Sequence, residues 1–238
     1  MAVRDSSTRK LCWLLALTLS ATLPKSLRIE AAHAANPAEG AGALTSVYVT
    51  QSGPSACSLA GVTMVINALR RAEGRPAVSQ RAVLSAANDP HWVAEIVADG
   101  EGVTFAELRR LLQQSLEAFG YGDAVIRSYQ PNADDGHALG ELRAFLADGD
   151  GLVLAAFDQG VLIGDAGAGH VSPLGQYDPA KHRILVLDVD RQLPGPYWAS
   201  DAALFAALIR PDPTDPTGNG LLKVIPPPVQ ARRSAAPR

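Results

Sequence analysis

The apolar residues of this 238-residue chain change period once, and that change limits the folds open to it. From Cys57 to about Ala147 they recur at helical spacing, and from Leu152 onward they come in short extended runs. In Cys57 to Arg71, Leu59, Val62, Ile66 and Leu69 fall on one helical face, and Gly74 and Pro76 end the helix. Ser79 opens a second short helix through Ala87, and Asp89-Pro90 reads as a turn. Thr104 to Glu107 is a capping box for a helix running to about Phe119, and a further helix is expected over 137–147. Extended runs follow at Leu152–Phe157, Gly169–Tyr177 and Arg183–Val189, with a turn at Asp178 to Lys181 between the last two. Residues 201–209 look helical, and Leu221–Ile225 is one more strand. Ser46–Thr50 is a short extended run before Pro54. Helices first and an antiparallel sheet second indicate an α+β fold.

Both ends differ from this body. Residues 1–10 are net basic, residues 11–23 are apolar, and small residues follow at Ala32 and Ala34, which is the plan of a secretory signal peptide over 1–34. The apolar run falls short of the roughly 20 residues of a membrane span. The body is expected over 35–225, with a disordered Pro-rich tail over 226–238. Cleavage would remove five basic residues (Arg4, Arg9, Lys10, Lys25, Arg28) and two acidic ones (Asp5, Glu30). That would leave 16 basic against 22 acidic, net −6. Such a balance disfavours nucleic acid or an anionic membrane as partner. The expected location is periplasmic or secreted, with no stable span after cleavage.

Cleavage would also remove Cys12 and leave Cys57 as the one cysteine, without a partner for an internal disulfide. Cys57 opens a helix, where free N–H groups and the dipole favour a thiolate. Cysteine catalysis further needs a base, a group that orients the base, and oxyanion donors. His170, in GAGHVSPLG, is the candidate base, and Asp188, at the end of the third extended run, is the candidate orienting group. The two are equidistant from Pro179 in the intervening turn, so a regular hairpin would set them face to face. Gln51, six residues before the cysteine, and the backbone N–H of Cys57 are the candidate oxyanion donors. The glycines of 164–169 let backbone approach a substrate. No metal site is expected, because no Cys/His pair has metal-ligand spacing.

The stretch QSGPSACSLAGVTMVINAL (51–69) resembles the catalytic segment of the phytochelatin synthase family. The resemblance continues through GVTF (102–105), GHVSPLGQY (169–177), LDVDR (187–191) and PYW (196–198), and covers about residues 45–225. It implies a papain-like cysteine protease fold and a γ-glutamylcysteine acyl-enzyme, with Cys57, His170 and Asp188 as triad and Gln51 as oxyanion donor. Gly169, Val171, Arg191 and Asp212 are the candidate substrate contacts. The implied substrate is glutathione or a related thiol peptide. Its Cys–Gly bond is cleaved and the acyl group passes to a second glutathione or to water. Acyl transfer requires no cofactor, and cadmium or zinc is expected only as activator or as thiolate-bound substrate. The chain departs from the family pattern in three places. It has no Cys-rich C-terminal region, as in the short prokaryotic members, which are mostly hydrolases. Ser58 stands where glycine is usual, and Asn219 stands near the place of an arginine that grips the γ-glutamyl head. Hydrolysis is therefore the expected main outcome. A papain-like peptidase on ordinary peptides and a non-enzymatic thiol- or metal-binding protein are the alternatives.

Overall fold

The computed structural model describes residues 42–97, 100–211 and 215–227. The expected signal peptide, the tail beyond Pro227 and the candidate contact Asp212 lie outside the described residues. The chain forms an α+β fold around one six-stranded sheet in the order β1-β6-β2-β3-β4-β5, with every neighbouring pair antiparallel. The strands are β1 (Val125–Tyr129), β2 (Leu152–Asp158), β3 (Gly169–Asp178), β4 (Arg183–Val186), β5 (Tyr197–Ser200) and β6 (Gly220–Ile225). The helices are α1 (Cys57–Ala72), α2 (Gln80–Ala87), α3 (Pro90–Glu95), α4 (Phe105–Ala118), α5 (Ala138–Ala147), α6 (Gln159–Ile163) and α7 (Asp201–Leu208). No described helix is long and apolar enough to cross a membrane.

Helix α1 is the spine of one layer. The sequence placed one apolar face on it, but the helix is buried nearly all round, from Ser58 to Arg70, because the sheet, α2 and α4 enclose it. Gly61 permits the close approach to the sheet. A Cβ there would lie 3.2 Å from Leu154 Cδ2 and 3.5 Å from Val171 Cγ1. The helix ends in a Schellman turn at Gly74 (φ 70°), where the Arg75 and Gly74 amides donate to the Arg70 and Arg71 carbonyls. Each large apolar side chain buried on α1 contributes about 1.5–3 kcal/mol. Leu154, Ala156, Val171, Leu187 and Leu222 face this layer. Ala155, Phe157, Leu174, Val186 and Leu221 alternate with them and face a second cluster under α5 and α7.

Five expectations change. The helix-first, sheet-second division is incomplete, since edge strand β1 lies among the helices, between α4 and α5, and α6 and α7 lie among the strands. Ser46–Thr50 is not a strand. Thr45–Val47 is a 3-10 turn, and the loop after it spends its polar groups on β4's continuation, Tyr48 Oη donating to the Asp188 carbonyl at 2.7 Å. Asp89-Pro90 is the start of α3 rather than a turn, with the Asp89 carboxylate capping the Trp92 amide and Pro90 at N1. The third extended run leaves the sheet at Val186, because Val189 turns its carbonyl to the Gln51 amide at 2.8 Å and its amide to Ser172 Oγ. Finally, a bulge between Leu174 and Tyr177 shifts the β3–β4 register. Leu174 pairs with Val186 and Leu187 donates to Pro173, so the ladder sets Ser172, not His170, across from Asp188. His170 is the diagonal neighbour on the same face, which is still within side-chain reach.

Candidate active site

Cys57 is the first residue of α1 and is partly exposed and unbridged. Its N-cap, Ala56, offers no side chain to the first turn, which leaves the helix-end amides open to the thiol. Cys57 and His170 share a hydrogen bond, and the amides of Val171 and Ser58 also reach the sulfur. Burial alone would push the thiol up. The hydrogen bond and charge of His170, with the two amides, outweigh it and hold the thiol below its ordinary value. Burial would likewise depress His170, but Asp188 and Cys57 overcome it and push the imidazole up to about 10. The two groups favour each other's charged form, with Asp188 adding to the support of the imidazolium and the two amides to that of the thiolate.

His170, the second residue of β3, lies directly opposite Phe157, whose ring it meets edge-on at 5.7 Å between centroids. Its Nε2 lies 2.9 Å from Asp188 Oδ1. Asp188 has no exposed surface. Its carboxylate accepts further hydrogen bonds from Gln159 Nε2 at 3.1 and 3.3 Å, from Tyr197 Oη at 3.0 Å and from the Asp190 amide at 3.0 Å. Burial would raise its pKa, and these donors with the charge of His170 lower it instead. An acceptor occupied on both oxygens keeps its charge and holds the ring of His170 in one plane. Tyr197 pays for this in its own ionisation, since burial and the adjacent carboxylate push its pKa far above the ordinary phenol value.

Gln51 is buried beside this group, its backbone tied to Val189. Nε2 donates to the Pro54 carbonyl at 2.8 Å, while Oε1 is buried with no partner. An amide nitrogen carries two donors, so one remains for an oxyanion. Gln80, the first residue of α2, grips the loop from both sides, accepting from the Ser52 amide at 3.0 Å and donating to the Thr50 carbonyl at 2.8 Å. Of the candidate contacts, Gly169 is exposed at the start of β3, Val171 is buried with its amide toward Cys57, and Arg191 is exposed beyond Asp190. Ser58 has a local explanation. Its hydroxyl accepts from the fully buried Trp92 indole at 3.0 Å, which joins α3 to the first turn of α1. Asn219 caps the end of α7 through the Ala207 and Arg210 carbonyls. Gln159, Tyr197 and Gln80 were not found by sequence reasoning. PYW held Tyr197 in view, but nothing in its spacing pointed to Asp188. A cavity of about 770 Å³ lies at the far end of α1, lined by Ala68, Leu69, Ala72, Leu152 and Leu174, away from this chemistry.

A family model for phytochelatin synthase matches residues 16–220. The chain belongs to the phytochelatin synthase family. It is similar to glutathione gamma-glutamylcysteinyltransferase 1 of Triticum aestivum, 28% identical over 208 residues, which cover 84% of this chain and 37% of that protein. It is also similar to glutathione gamma-glutamylcysteinyltransferase 2 of Arabidopsis thaliana, 29% identical over 178 residues, with 71% of this chain and 36% of that one covered. The chain therefore spans about a third of the length of these members of the phytochelatin synthase family.

Proposed function

We propose that this protein is a papain-like acyltransferase on glutathione, with Cys57 as nucleophile, that resolves its acyl-enzyme mainly with water. The observation that carries the reading is a free cysteine at a helix start, in hydrogen-bond contact with a histidine whose Nε2 lies 2.9 Å from a buried carboxylate. The names of the relatives supply the substrate class. The Cys57 thiolate attacks the carbonyl carbon of the Cys–Gly bond. The Cys57 amide and Gln51 Nε2 receive the oxyanion. The His170 imidazolium gives its proton to the glycine nitrogen as the C–N bond breaks, and glycine leaves a thioester on Cys57. Water then attacks the thioester carbonyl and yields one proton to His170. γ-Glutamylcysteine departs and the thiolate–imidazolium pair is restored. Asp188 orients the ring throughout and stays ionised.

Water is favoured because transfer to a second thiol peptide needs a site that holds the acceptor amine against the acyl carbon. Arg191 is the one basic residue near the triad in sequence, and a single charge is a weak clamp. Cadmium or zinc then enters as activator or as thiolate-bound substrate. The test is the ratio of γ-glutamylcysteine to its oligomers, by mass spectrometry at millimolar glutathione, with and without metal. Oligomers in excess of the hydrolysis product would make the chain a synthase. The peptidase alternative is favoured by Asn219, whose amide is spent on helix α7. Turnover of ordinary peptides in preference to glutathione would select it. The N-terminal segment supports export, and protein from the periplasm should begin near Ala35.

A further inference from the structure

Arg210 follows α7 and carries a guanidinium whose side chain is 60% exposed. Its Nε lies 3.7 Å from Asp158 Oδ2. Asp158 ends β2 and is nearly buried, with Oδ1 taking the Ala168 amide at 3.2 Å. A Cβ at position 167 would lie 2.9 Å from Oδ2, so a larger residue there would displace this carboxylate. Asp158 stands directly across from Gly169, the residue before His170. By strand alternation it shares the sheet face of Leu154 and Ala156, the face on which α1 and Cys57 stand. Arg210 therefore crosses from the α7 side and is pinned at the sheet end where the thiol lies. Among the described residues the ion pair engages Nε, and the two terminal nitrogens form a fork suited to a planar anion. The Asn219 amide holds the Arg210 carbonyl at 3.1 Å, so the backbone beneath the guanidinium is fixed as well.

We propose that Arg210 is the carboxylate-binding residue of the cleft, with Asp158 as the group that positions it. This rests on the reading of Cys57 as an activated thiolate. Glutathione offers two carboxylates, on its glutamyl and glycyl ends, and a bidentate pair with either would fix the scissile carbonyl relative to Cys57. Nothing in the proposal requires the residue at position 219 to carry charge.

The probes are iodoacetate and iodoacetamide, similar in size and differing in charge, used to alkylate Cys57 in the full chain. The ratio of the two rates is expected to fall roughly three- to tenfold in Arg210→Gln, the size of one partly screened charged hydrogen bond. Arg210→Lys should keep most of the ratio, and the iodoacetamide rate should not change in either variant. An unchanged ratio in Arg210→Gln, or a fall in Arg191→Gln in its place, overturns the proposal. Slow iodoacetamide labelling of the unmodified protein would sink the thiolate reading, while the ratio still reports on Arg210. With glutathione amidated at one end or the other, the KM of the analogue that lacks the recognised carboxylate should no longer respond to Arg210→Gln. A KM response to Arg210→Gln that persists with both analogues would also overturn the proposal.

Discussion

Tyr197→Phe isolates one hydrogen bond from a buried charge. The phenol oxygen donates to Asp188 Oδ2 at 3.0 Å, and the other side-chain donor on that oxygen is Gln159 at 3.1 Å. The ring of Tyr197 packs in the cluster under α7 and would stay there as phenylalanine. Losing a hydrogen bond to a charged, fully buried acceptor costs about 1.5–3 kcal/mol. The carboxyl of Asp188 in the folded protein should then rise back toward the ordinary carboxylate range. The folded-state pKa of Asp188 is depressed, so its contribution to stability is present above the ordinary carboxylate value and lost as pH falls through the folded one. In the variant that loss should begin at a higher pH. Melting at neutral pH should drop by roughly 4–8 °C for a loss of about 2 kcal/mol in a body of this size. The acid limb of Cys57 alkylation by iodoacetamide should move upward with it, because a protonated Asp188 no longer supports the imidazolium. A variant with the acid limb and melting temperature of the unmodified protein would refute the claim that Tyr197 holds the charge of Asp188.

Cys57→Ala should abolish glutathione turnover with little change in melting, and iodoacetamide should label the unmodified enzyme once per chain in the thiol that mass mapping assigns to Cys57. His170→Ala should cost several orders of magnitude in kcat, and Asp188→Asn less, since it leaves a hydrogen-bonding group at the ring; equal losses would give Asp188 more than an orienting role. Because Cys57 is lowered and His170 raised to about 10, alkylation should stay fast below the pH at which an ordinary thiol becomes protonated, and acyl transfer should fall as His170 loses its proton above about 10. Gln80→Ala removes both grips on the Gln51 loop and should lower kcat/KM roughly tenfold while melting shifts little; unchanged kinetics would show that the loop holds itself.

Long, strongly periodic elements were legible in the sequence. The helix at Cys57, the capping box at Thr104, the strands at Leu152 and Gly169 and the helix after Ser200 lie close to where periodicity put them. The short elements were not. β1 alternates, but as an edge strand it exposes most of its residues, so its pattern lacks an apolar face. α6 and β5 are five and four residues long, below the length at which a period can be read. Asp89-Pro90 carries the same two residues whether it makes a turn or caps a helix, and only the burial of Trp92 decides. Cys57, His170 and Asp188, which the structure brings together, were legible as candidates through their chemistry and through the family resemblance. The hairpin symmetric about Pro179 misses the register, because Asp178 pairs with Arg183 and the turn is centred beyond Pro179; the bulge at Gly175 and Gln176 recovers only part of that offset. Gln159 and Tyr197 reach Asp188 from two of the elements that periodicity missed.

Cys57 and His170 belong to different layers. Cys57 packs with the α1 cluster, and His170 leans on Phe157 in the cluster beneath α5 and α7. The hydrogen bond between them bridges the seam at the end of the sheet. A slight slide of one layer over the other would part the two side chains while leaving each layer's interior intact. Gly61 sets the spacing between α1 and the sheet, so a bulkier residue there would act as a wedge, parting Cys57 from His170 before it unfolded the protein.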